Sequence, residues 1–102
     1  MATNKYSIEH ILPQKLESGW DEFNEIKHSQ HVYRLANMII LEKSLNRNIG
    51  NIAYKDKKIV LSTSSISLTS GLADKYDSWT PETINSRQKH LATQAKSIWM
   101  IN

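Results

Sequence analysis

Ser7-Ile8-Glu9-His10-Ile11-Leu12-Pro13-Gln14 is the stretch on which the reading of this chain turns. An acid and a histidine stand side by side in a short apolar run, and a proline stops the run three residues later. Ile8, Ile11 and Leu12 are expected to anchor the segment, with Glu9 and His10 carried between them. A carboxylate can bind a hard metal ion, and imidazole, with an ordinary pKa near ~6.5, can take a proton from water at neutral pH. A Glu-His pair alone is most often a plain surface feature, so its meaning depends on the rest of the chain. Lys5 to Glu9 alternates as a short strand, and Pro13 ends it. Adjacent strand residues point to opposite faces, so Glu9 and His10 share a cleft only if the strand ends or twists there. Pro13 favours that, because it restricts Leu12 and stops strand pairing.

Downstream, Gln14 to Gly19 reads as a loop. Trp20 to Lys27 has helical spacing, with Trp20, Phe23 and Ile26-Lys27 near one face. His28 to Arg34 is polar and expected to be irregular. Met38 to Leu41 is a compact apolar run, predicted to pair with the first strand. Ser44 can cap a helix from Leu45 to about Gly50, and a further helix is predicted over Ile52 to Leu61. Ser62 to Ser70 reads as a Ser/Thr-rich connector with Ile66 and Leu68 tucked in, followed by a short helical turn over Gly71 to Tyr76. The last element has the plainest signals. Thr80-Pro81-Glu82-Thr83 supplies an N-cap, a proline at the first helical position and an acid in the first turn, and Ile84, Leu91, Ala95 and Ile98 recur at helical spacing. Trp20, Trp79 and Trp99 are expected in the core.

At 102 residues the chain is read as one domain, residues 1–102, with a core over about 5–51 and a helical extension over about 52–102. It is either a small protein or a domain of a longer one. A 39% apolar and 23% charged composition suits a folded domain rather than a disordered tail. A net charge of +3 is compatible with a nucleic-acid partner without requiring one. The absence of cysteine removes disulfides, iron–sulfur clusters, Cys-ligated zinc and a thiol nucleophile, and fits a reducing cytoplasm. No apolar run approaches the ~20 residues that cross a bilayer, so no membrane partner is expected.

The constellation lies beyond His10. Asn37 stands just before Met38-Ile39-Ile40-Leu41, and Asn46 follows it by nine positions, early in the predicted helix. Glu-His, then Asn, then Asn, over two strands and a helix, resembles the HNH branch of the His-Me finger nucleases. The stretches Ile8–Gln14 and Tyr33–Asn51, a Tyr54…Lys57 segment, and a tail with Trp79, Ile84, Arg87, Leu91-Ala92, Ala95 and Ile98-Trp99 resemble the C-terminal nuclease domain of GmrSD-type restriction proteins. The likeness covers nearly the whole chain. It departs at Ala36, where that family usually has glycine, and at Met38, where leucine is usual. Ala36 requires a backbone that tolerates a Cβ.

The resemblance implies an α+β fold, a ββα-metal core with additional C-terminal helices. It implies a DNA endonuclease in a restriction or anti-phage system, partnered by an NTPase-like N-terminal domain that this chain does not contain. In that pattern His10 is the general base, and Glu9 and Asn46 are oxygen ligands to Mg²⁺ or Mn²⁺. Asn37 belongs to the catalytic group as its organiser, its amide bridging backbone groups of the long loop. Arg47, Lys55, Lys57 and Lys58 are candidate phosphate contacts. Each has a plainer reading. Glu9 can equally form a structural salt bridge, Asn46 can bond to local backbone, and the lysines can be a solvated helix face. Asn48 and Asn51 read as turn or cap residues, His28, His31 and His90 as surface or packing residues, and Arg87 as half of a structural ion pair. Arg34 shares the ambiguity of Arg47. The rival to the nuclease is a module of the same shape that only holds nucleic acid or docks a partner.

Overall fold

The computed structural model describes residues 5–16, 18–47, 49–50 and 52–100, the last four of these for backbone alone. The expectations for Asn48 and Asn51, and for the side chains of Ile98 and Trp99, lie outside the described residues. Strands β1 (Tyr6–His10) and β2 (Met38–Glu42) pair antiparallel, with Ile8 opposite Ile40 and His10 opposite Met38. The two-residue period of a strand sorts their side chains. Ile39 and Leu41 turn inward and are buried, whereas Ile8 is 64% and Ile40 56% exposed. Ile8 is therefore not an anchor; Ile11 and Leu12, just past the strand, are fully buried and hold that end.

Residues 11–37 link the strands. They carry α1 (Glu25–His31) and a 3-10 turn (Leu35–Asn37). The helix predicted over Trp20 to Lys27 begins later because Asn24 caps it, its side-chain oxygen accepting from Lys27 N at 2.8 Å. Trp20 and Phe23 are core residues of the preceding turns, while Ile26 is exposed. The segment expected to be irregular supplies the rest of α1. There the His28 ring donates from Nε2 to Pro13 O at 2.8 Å, and His31 from Nδ1 to Lys27 O at 2.6 Å.

Helix α2 (Lys43–Asn46) follows β2 directly, completing a ββα unit. Its N-cap position falls on Glu42 rather than Ser44. Helix α3 (Tyr54–Leu61) buries Tyr54, Lys57 and Leu61. Tyr54 stacks on Trp79 and donates its hydroxyl to Tyr76 O at 2.6 Å, and burial together with nearby Asp77 pushes its phenol up to about 12. Helix α4 (Ser67–Lys75) runs through the second half of the predicted connector. Thr69, Leu72 and Ala73 form its buried stripe, and Thr69 Oγ1 donates to Ile40 O at 2.6 Å, so a residue that read as linker is core. Leu68, expected to tuck in, is exposed. Helix α5 (Pro81–Met100) begins where predicted. Thr80 Oγ1 accepts from Thr83 N at 3.2 Å and Thr83 Oγ1 from Thr80 N at 2.7 Å, a reciprocal cap. Ile84 is buried and Leu91 partly so; Ala95 is exposed.

Glu42 ties α4's approach to the hairpin. Its carboxylate accepts from Ser64 Oγ at 2.6 Å and from both Ser65 N and Ser65 Oγ at 3.0 Å. The Ser64 bond first, then the Ser65 N–H, lower its pKa from 4.5 to about 2. A folded pKa below the unfolded one stabilises the fold above pH 4.5 and loses that contribution as pH falls towards 2. Glu42→Gln should cost on the order of 1 kcal/mol at pH 7 after solvent screening, or ~4–8 °C in Tm. It should also flatten the acid limb of Tm against pH, measured by circular dichroism. An unchanged acid limb would show that these bonds do not hold the carboxyl down.

Candidate active site

The end of β1 is pinned by one buried asparagine. Asn37 Oδ1 accepts from Leu12 N at 2.8 Å and from Trp79 Nε1 at 2.9 Å, and its Nδ2 donates to Leu12 O at 3.0 Å and Val32 O at 2.9 Å. Its own carbonyl accepts from Ile11 N at 2.9 Å. Every side-chain donor and acceptor site of this fully buried residue is thus matched to a group of the fold. The chain leaves the strand straight after His10 because the next two backbone amides bond to Asn37. Ala36, one residue earlier, is buried in the 3-10 turn with φ negative, so the Cβ there is accommodated without strain.

His10 closes β1 on the hairpin's outer side, opposite Met38. Its ring is half-buried and stands edge-on to Tyr33, centroids 5.9 Å apart at 83°. Among the described residues neither ring nitrogen has a hydrogen-bond partner, and the Tyr33 ring is the aromatic neighbour of this imidazole. No spacing in the sequence pointed to Tyr33.

Glu9 projects to the inner side, as Ser7 does. Asn46 reaches that side from α2, its Nδ2 donating to Ser7 Oγ at 2.8 Å. Regular strand alternation therefore brings Glu9 and Asn46 to one face and turns His10 to the other side of the strand end. Glu9 Oε2 accepts from Lys57 Nζ at 3.1 Å, so the salt bridge weighed against its ligand role exists.

Lys57 overturns its expected phosphate contact. It is 0% exposed; besides Glu9, its ammonium donates to His10 O at 3.1 Å and Ile11 O at 2.9 Å, and it lies 5.6 Å from the centre of the Trp20 ring. Burial lowers its pKa, opposed by the adjacent Glu9 charge. Tyr54, Lys57 and Leu61 fall at i, i+3 and i+7, so a lysine inside the apolar stripe of α3 was the signal that the run of three lysines obscured. Lys58 pairs with Asp77 at 3.1 Å, while Lys55 and Arg47 are exposed. Arg47 lies with Lys43 at the shallow cleft beside Ser7 and Asn46. Arg34 bonds to Asn85. Arg87 is structural, but its partners are Ala36 O at 2.6 Å and Met38 O at 3.2 Å, not the carboxylate of an ion pair.

Among the described residues no three His, Cys, Asp or Glu side chains come together as a metal cluster. The oxygens that remain are Glu9 Oε1 and Asn46 Oδ1, which have no protein partner among the described residues. One carboxylate and one carboxamide oxygen are the donor types of a hard divalent ion that keeps most of its water. The fit is qualified by the Lys57 ammonium, which already shares the same carboxylate.

Among the described residues no helix is long and apolar enough to cross a membrane. The model of the GmrSD restriction endonuclease C-terminal domain matches residues 1–94. No curated protein and no solved structure gives a match. With its β-hairpin, the helix that follows it and an α+β architecture of the His-Me finger kind, the chain belongs to the family of GmrSD restriction endonuclease C-terminal domains.

Proposed function

We propose that this domain is a metal-dependent endonuclease that hydrolyses DNA phosphodiester bonds within a restriction or anti-phage system. The observation that carries the reading is His10. A half-buried imidazole with both nitrogens unpartnered stands at a strand end that Asn37 and Lys57 fix from behind. A ring held in that way is available to take a proton from water. The water then attacks phosphorus in line, the bond from phosphorus to the 3′ oxygen breaks, and the products carry 5′-phosphate and 3′-hydroxyl ends. Glu9 and Asn46 would hold the ion, Mg²⁺ or Mn²⁺, on the inner side of β1 while His10 stands on the other, so one phosphate meets both only where it lies across the end of the strand; the ion would supply charge stabilisation at the departing oxygen. Asn37 acts by position: it keeps the segment after His10 in place. Of the four candidate phosphate contacts, Arg47 and Lys55 are the exposed ones and would meet the phosphates. GmrSD-type proteins commonly pair this domain with an N-terminal NTPase or sensor domain, and we infer that such a partner directs the cleavage.

The Lys57–Glu9 pair favours a second reading, in which the platform holds nucleic acid without cutting it, because a shared carboxylate is a weaker metal ligand. Supercoiled plasmid incubated with the purified domain in Mg²⁺, Mn²⁺ or EDTA separates the two. The nuclease produces nicked or linear DNA with either metal and none in EDTA. A folded domain that cuts neither DNA nor RNA in any of these conditions leaves the binding module.

A further inference from the structure

We propose that the apolar groove on the outer side of the hairpin is the interface through which two copies of this chain form a two-fold dimer. Ile8 and Ile40 from the hairpin, Leu35 from the 3-10 turn, Leu68 from α4 and Leu91 from α5 line it, and Met38, opposite His10, belongs to the same lining. Apolar side chains scattered singly over a surface are ordinary, but these adjoin one another around a single groove. Ile8 and Leu35 are each 64%, Ile40 56% and Leu68 77% exposed. Together these four leave on the order of 400 Å² of apolar surface in water, the size of patch that on a monomer is often functional. One side of a standard interface covers ~800 Å², of which a little over half, about 450 Å², is apolar. The patch therefore supplies the apolar share of one side of a stable dimer.

Two features select a second copy as the occupant. The first is charge. In a two-fold contact a patch meets itself, so a charge near the axis faces its like. This chain carries 13 Lys and Arg and 10 Asp and Glu, yet among the described residues Arg87 is the one charged side chain in the lining. That arginine donates to the Ala36 and Met38 carbonyls. A patch so poor in charge meets its own copy without repulsion, whereas a partner steered by the basic charge of this chain would be drawn to another face.

The second is shape. A surface that fits itself needs a projection beside a recess. Leu68 stands out from the second position of α4 at one wall, and the groove next to it encloses about 350 Å³, enough for the side chain of a leucine. A two-fold axis across the groove seats Leu68 of each copy in the recess of the other. Thr69, the next residue, bonds to Ile40 O at 2.6 Å and holds that projection at a fixed height on the hairpin, so the contact needs little ordering. The lining reaches Met38 but neither His10 nor Tyr33, so the interface ends beside the candidate active site rather than over it. The dimer itself does not depend on the nuclease reading; that it would carry two cutting centres does.

Sedimentation velocity of the purified chain, from ~1 µM to ~1 mM, tests the interface. The mass should climb from that of one chain to that of two and stop there. Leu68→Asp should raise the dissociation constant of the dimer about tenfold or more. Its Tm, measured in dilute solution where the parent is monomeric, should stay with the parent's, because the side chain is exposed and an acid suits the first turn of a helix. Ile40→Thr, which keeps a β-branched residue in the strand, should act in the same direction. Ile26→Asp is the matched control: it too is an exposed apolar residue at the second position of a helix, α1, but lies outside the groove, and it should leave the dimer as tight as before. A chain that stays monomeric to ~1 mM overturns the proposal, as does a mass that grows past two copies. A dimer that Leu68→Asp leaves unchanged, or that Ile26→Asp weakens equally, overturns it as well. None of these readouts involves DNA, so they stand whether or not the domain cuts it.

Discussion

His10→Ala should lower metal-dependent cleavage by roughly 10²–10⁴-fold, the range that a positioned acid–base group contributes. The fold should survive the change. The His10 ring makes no hydrogen bond among the described residues, and its T-shaped contact with the Tyr33 ring is worth ~0.5–1.5 kcal/mol. The backbone does the structural work at this position: the carbonyl accepts from Lys57 and the residue pairs with Met38, and alanine keeps both. Tm should therefore fall by only a few degrees while cleavage disappears, with plasmid nicking in Mn²⁺ and a thermal melt measured on the same preparation. A His10→Ala variant that still cuts would sink the general-base role. Parallel loss of Tm and activity would instead make His10 a packing residue.

The hairpin and α5 were legible because their signals are local. Met38-Ile39-Ile40-Leu41 is short, apolar and bounded, and Thr80-Pro81 carries the cap chemistry that the structure uses. Helix α1 was displaced because Trp20 and Phe23 mimic helical spacing while serving as core residues of tight turns; the decisive bond, Asn24 to Lys27, is one that any loop asparagine could make. Helix α4 was masked by composition. Its Ser and Thr read as linker, and only the tertiary bond from Thr69 to Ile40 O makes that face internal. Lys57 shows the same limit more sharply. Local charge put it on the solvent side with Lys55 and Lys58, but three oxygens contributed by the β1 end draw it inside. Burying an ammonium is tolerable only when it is paired and fully bonded, and those partners lie more than forty positions away in the sequence. Asn37 was readable in kind, since its bridging of the long loop followed from the resemblance. That its fourth partner is Trp79 could not be read from spacing.

Asn37→Leu should be the most destabilising single change in the domain. Leucine fills much the same space but strands Leu12 N, Leu12 O, Val32 O and Trp79 Nε1, each bonded to this one side chain and all buried. An unpaired buried polar group costs ~1–3 kcal/mol. The four share one site, so their costs do not simply add, yet even ~4 kcal/mol is a large part of the ~5–15 kcal/mol that holds a domain of ordinary stability. Asn37→Asp keeps an oxygen for Leu12 N and Trp79 Nε1 but sets a second oxygen against two carbonyls, so it should lose less than leucine and more than a surface change. Urea unfolding followed by tryptophan fluorescence reads both variants, because Trp79 reports directly on the bond that is cut. The consequence for function runs through Leu12, two residues beyond His10: where enough folded protein remains, cleavage per folded molecule should fall with the loosened strand end even though Asn37 itself touches no substrate. A leucine variant melting within ~4 °C of the parent would show that the clamp does not hold the site, and the positioning role would go with it.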